Sequence, residues 1–98
     1  MNVYVIAFDI TTKVGTPASI AKVRAAVDSL IMRFPFQEQV TESCWCVASF
    51  KTAVQIRDAF VAVMRAEYDR VFVLQSAGNA AWRNVLGDSA ALTTLIEA

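Results

Sequence analysis

Hydrophobic and polar positions fall into two rhythms along this chain, one of period two and one near three and a half. Residues 2–8, NVYVIAF, are β-branched and aromatic, and Asp9 bounds them too closely for a helix, so they predict a strand. Val3, Val5 and Ala7 face one way and Tyr4, Ile6 and Phe8 the other, so both faces of that strand are apolar and both call for cover. Thr16 then caps a helix opened by Pro17, where the missing amide hydrogen costs nothing. Its core stripe is Ile20, Val23, Val27, Leu30 and Ile31, and Pro35 ends it near Arg33 by disfavouring helical geometry at Phe34. Residues 36–50 read as a short strand, a bend around Thr41 and Glu42, and a longer strand through Phe50; spacing leaves open whether this is one bulged strand or a hairpin. Thr52 and Gln55 form a capping box for a second helix that turns Ile56, Phe60, Val63 and Met64 inward. A strand buried on both faces follows at Val71 to Gln75. After the loop GNAAWRNVL, Asp88 or Ser89 caps a last helix bearing Leu92, Leu95 and Ile96.

Strand, helix, strand pair, helix, strand is the order of the split βαββαβ, or ferredoxin-like, α+β fold, a four-stranded antiparallel sheet with two helices on one face. Residues 1–98 are expected to make one such domain, with 77–98 as a C-terminal loop and short helix. The first, third and fourth strands are apolar on both sides, so the open sheet face needs covering. A second protomer, joined through that face or through edge strands, is the expected cover, and the terminal helix folded back over the sheet is its rival.

Composition sharpens this expectation. Of 98 residues, 56% are hydrophobic and 18% charged, which excludes disorder and leaves more apolar surface than a small monomer easily hides. Nine basic residues balance nine acidic ones, so no global field attracts nucleic acid or an anionic membrane, and any polyanion site must be local. The chain has no histidine, which removes the commonest general base and metal imidazole; catalysis would fall to carboxylates, cysteine or an oxygen-held metal. Cys44 and Cys46 share one strand face, cannot by themselves close a structural zinc site, and read as small hydrophobes of a reducing compartment. No signal peptide or membrane span is evident, and a cytoplasmic location is expected.

Few residues carry chemistry. Asp9, at the carboxyl end of the first strand, either accepts hydrogen bonds from the loop around Thr11 and Thr12 or, doubled by symmetry, shares a hard divalent cation. Lys13, Lys22 and Arg24 could form a basic rim near it, and Arg70 is expected to pair with Asp69 or Glu67. Trp45, between the cysteines, faces the other way and reads as a core or dimer residue. The loop after the last strand gathers Gly78, Asn79, Trp82 and Arg83; Trp82 either anchors the tail or, with Arg83, holds a single-stranded base and its phosphate. Asn79, Trp82, Arg83 and Lys13 are therefore the candidate binding residues, and Asp9 the candidate catalytic and metal-binding one. The glycines at 15, 78 and 87 are too scattered for a phosphate cradle.

The runs ESCWCVASF, IRDAF, DRVFVLQ and AAWRNVL resemble the small proteins of the SinR family, which are related to the CRISPR-associated Cas-two proteins, and VYVIAFDI is similar to the first strand of both groups. The resemblance implies a ferredoxin-like homodimer with the first-strand Asp of each protomer, here Asp9, near the dimer axis. In the Cas-two group that position is associated with magnesium and nuclease activity in some members, while the group also serves as a non-catalytic bridge between integrase dimers. Three functions follow, in order: a non-catalytic dimeric adaptor binding nucleic acid or protein, a magnesium-dependent endonuclease acting on RNA or DNA through paired Asp9 carboxylates, and a ligand-binding regulatory module.

Overall fold

A computed structural model describes residues 1–97 as an α+β fold. The elements are β1 (Asn2–Asp9), α1 (Pro17–Met32), β2 (Phe36–Thr41), β3 (Cys44–Ser49), α2 (Ala53–Val63), β4 (Arg70–Gln75) and α3 (Ser89–Glu97). The strands form one sheet in the order β2-β3-β1-β4 with every neighbouring pair antiparallel. Residues 36–50 are thus a hairpin, and the chain shifts register between Gln39 and Thr41, so both features that the spacing left open are present.

Local chemistry accounts for the helix boundaries. Thr16 and Ser19 exchange side-chain and backbone hydrogen bonds at the start of α1, and Thr52 and Gln55 do the same for α2, so two otherwise orphaned amides are satisfied at each end. Asp88 caps α3, its carboxylate accepting from the amides of Ala90 and Ala91. α1 ends at Met32 with Arg33 as its cap, ahead of Pro35.

The core lies between the sheet and the first two helices. Tyr4, Ile6 and Val47 pack there against Val23, Val27, Ile31, Ile56 and Phe60, with Trp45 partly buried beside them. Tyr4 is wholly enclosed, yet its hydroxyl donates to the Lys51 carbonyl at 2.7 Å, so burying it leaves no polar atom unpaired.

The opposite sheet face is covered by the tail, but only over one half. Leu92 and Ile96 of α3 bury Cys46 with Val5, Val40, Trp82, Val85 and Leu95 around them. The segment before α3 also lies along β2: the amides of Leu86 and Gly87 donate to the carbonyls of Val40 and Gln39, and the Asp88 amide to the Glu38 carboxylate at 2.6 Å. A side chain at Gly87 would collide with Glu38 and the Gln39 carbonyl, so glycine is what lets the tail approach this closely. β4 lies at the far edge of the sheet, beyond this cover. The expectation that it is buried on both faces is therefore corrected: Val71 and Val73 pack on the core, whereas Phe72 and Leu74 are 60% and 54% exposed.

Candidate functional site

Asp9 ends β1 directly across from Arg70 of β4, at the rim of the sheet. Two clefts of about 470 and 580 Å³ meet at it. The first brings Asp9 together with Arg24, Asp28, Gln39 and Glu42, and the second with Lys13, Arg24, Glu67 and Arg70. Of the basic residues expected near Asp9, Lys13 and Arg24 are there, Arg70 joins them, and Lys22 is exposed on α1 without lining either cleft.

The Asp9 carboxylate accepts no hydrogen bond among the described residues, so the loop around Thr11 and Thr12 does not hold it. That loop is fixed from elsewhere. Arg65 donates to the carbonyls of Thr11 and Val14 at 2.7 and 2.6 Å, and to both carboxylate oxygens of Asp69. The Asp69 side chain is fully buried, and its hydrogen bonds from Arg65 hold its carboxyl below the usual range despite the burial that opposes ionisation. The same bonds push the Arg65 guanidinium up. Asp69 is thus committed to Arg65, and among the described residues Glu67 makes no ion pair with Arg70 either, so the expected pairing is corrected and Arg70 is exposed beside Asp9.

Magnesium takes about six oxygen ligands in near-octahedral geometry. The described residues contain no group of three His, Cys, Asp or Glu side chains placed to hold a metal ion, and Arg24 adds positive charge to the cleft that Asp9 shares with Asp28 and Glu42. One copy of the chain does not supply the ligand set that the ion needs.

The loop residues stand apart from Asp9 and line neither of its clefts. Trp82 turns inward on the α3 cluster and its indole N–H donates to the Ser89 hydroxyl at 3.0 Å, tying the loop to the start of α3. Asn79 and Arg83 are exposed, as is Leu86, and Asn84, between Arg83 and Leu86, takes the left-handed conformation at φ 55°. The loop is therefore anchored from beneath and displayed above.

Burial raises both thiols, and the neighbouring Cys44 reinforces the effect on Cys46, pushed up to about 11. Burial thus disfavours the thiolate, which makes Cys46 a poor nucleophile.

Compared with protein-family models, curated proteins and solved structures, the chain finds no match. Among the described residues no helix is long and apolar enough to cross a membrane.

The apolar side of the last strand that the pattern left in need of cover is Phe72 and Leu74, at the bare outer edge of β4. What the pattern did not point to is an exposed row on α2, Val54 and Val61, flanking Arg57 and Asp58. Their spacing of three and four residues along the helix was the available signal, but Ile56 and Phe60 gave a stronger inward stripe.

Proposed function

We propose that this protein is a ferredoxin-like, Cas-two-like homodimer that works as a non-catalytic adaptor, presenting the loop at 78–88 to a nucleic-acid or protein partner. The strand order, with β1 and β2 running the same way on either side of β3, supports the fold reading. The observation that carries the function is the division of labour in the loop. Trp82 is spent on anchoring, while Arg83 and Leu86 stand in solvent on a segment tied down by backbone hydrogen bonds to β2. A displayed guanidinium and leucine on a fixed loop suit recognition, because little order has to be imposed on binding.

The nuclease reading has one observation in its favour, the unpartnered Asp9 carboxylate where two clefts meet, one lined by Lys13, Arg24 and Arg70 and the other by Arg24 together with Asp28 and Glu42. The two readings part on a single assay. Purified protein with magnesium or manganese is expected to leave labelled single- and double-stranded RNA and DNA intact. Cleavage abolished by Asp9→Asn, with association unchanged, would establish the nuclease and end the adaptor reading. Immobilised wild type is expected to retain partners that an Arg83→Ala, Leu86→Ala variant loses; equal recovery by both counts against the loop.

A further inference from the structure

We infer that the protein self-associates through the outer edge of β4, which pairs antiparallel with β4 of a second copy about a two-fold axis at Val73. This deepens the homodimer of the proposed function and rests on it, but sets the dimer axis at β4 and not near Asp9, where the resemblance implies it.

The two edges of the sheet are not alike. The outer edge of β2 is occupied by the tail, whose amides at Leu86 and Gly87 take its carbonyls. Among the described residues β4 has no strand beyond it. The Ser76 amide donates to the Val3 carbonyl, and this phase continues down the antiparallel ladder, so the even-numbered β4 residues address β1. Val71, Val73 and Gln75 then turn their N–H and C=O groups outward, and none finds a partner among the described residues. An unpaired edge flanked by Phe72 and Leu74, both more than half exposed, is the arrangement that proteins otherwise blunt with charge, proline or cover.

The free groups are symmetric about Val73, and that symmetry selects both occupant and register. With Val73 opposite the partner's Val73, Val71 meets the partner's Gln75 and every outward group is used, for about six hydrogen bonds. Phe72 falls opposite the partner's Leu74 on the open sheet face, in the non-hydrogen-bonded positions where side chains approach most closely. Centring on Phe72 instead would leave Gln75 without a partner.

Pairing one six-residue strand is small beside the roughly 1,200–2,000 Å² of a standard interface, so contact above or below the sheet is needed. α2 supplies it. Arg57 and Val61 line a cleft with Arg70 and Val71, which places their side of the helix over the β4 edge. At about 3.3 Å per strand residue and about 1.5 Å per helix residue, the two residues from Val71 to Val73 run back along about four helix positions, from Val61 toward Arg57 and Asp58. The same axis then passes near the middle of the row formed by Val54, Arg57, Asp58 and Val61. Antiparallel helices related by that axis set Val54 against the partner's Val61, and Arg57 against the partner's Asp58. The Arg57–Asp58 pair, exposed and 2.8 Å apart within one copy, is thereby self-complementary across two.

Sedimentation velocity over a dilution series, with amide exchange by NMR at the two ends of that series, tests this. The expected result is a dimer at high concentration, with slowed exchange at Val71, Val73 and Gln75 that is lost on dilution, while Phe72 and Leu74 stay protected throughout. Phe72→Lys with Leu74→Lys, at positions already exposed, should weaken association at least about tenfold, since like charges fall opposite each other across the pair. Arg57→Asp should also weaken it, and adding Asp58→Arg should restore it. A dimer whose outer β4 amides exchange as fast as in the monomer overturns the edge pairing and leaves the dimeric reading standing. A chain that stays monomeric at high concentration overturns both.

Discussion

Asp69 shows how much of this structure rests on one side chain. It bridges the end of α2 to β4, and Arg65, which it orients, holds the β1–α1 loop by two carbonyls. Because its carboxyl is held below the usual value, its contribution is complete above the ordinary carboxylate range and is lost as pH falls through the lower folded-state value. Thermal unfolding followed from about pH 7 to pH 3 should show a steeper acid loss for wild type than for Asp69→Asn, which should already be less stable at neutral pH. Parallel curves would contradict this role. The spacing of Arg65 and Asp69 was visible in the sequence as four residues, yet the pair does not lie on a helix: α2 stops at Val63, and the contact spans the turn that follows. For the same reason Asp9 was legible as a rim residue with Lys13 and Arg24 beside it, while the rest of its surroundings were not. Gln39 and Glu42 come from the hairpin and Arg70 from β4, and only tertiary structure brings them to one place.

At the level of elements, the helices were readable because their caps and apolar stripes are local. The capping boxes at Thr16 and Thr52 and the break before Pro35 each fix a boundary with chemistry contained in a few consecutive residues. β4 was harder. A run such as VFVLQ is apolar on both faces whether it sits at the centre of a sheet or at an edge awaiting a partner, and composition alone does not separate these cases. The terminal helix was legible as amphipathic, while its seat on Cys46 and Val5 depends on the tail first crossing β2 at Gly87. Leu92 is the centre of that seat, so Leu92→Ala should cost roughly 2–5 kcal/mol in urea denaturation. A cost below about 1 kcal/mol would mean that α3 does not pack where it is placed.

For the whole molecule, surface decides the reading. A 98-residue chain that is 56% hydrophobic keeps Phe72, Leu74, Val54 and Val61 in solvent even after its own C-terminal helix has covered half of the open sheet face. The proposed association through β4 would gather all four into one interface and leave the loop around Arg83 uncovered. It would also separate the two copies of Asp9. Each Asp9 lies opposite its own Arg70, and Arg70 falls opposite the partner's Ser76, so the carboxylates stand about 20 Å apart along the strands and about 14 Å across them, near 25 Å in all. Two groups so placed cannot share one metal ion, so the proposed edge pairing is compatible with the adaptor reading and incompatible with a shared metal at Asp9. The distance between the two copies of residue 9 measures this directly. In a Cys44→Ala, Cys46→Ala background, spin labels at Asp9→Cys should give a dipolar distance distribution centred at about 25–35 Å, allowing for the label arms. Labels brought within about 15 Å, as a shared metal site would require, would contradict the account.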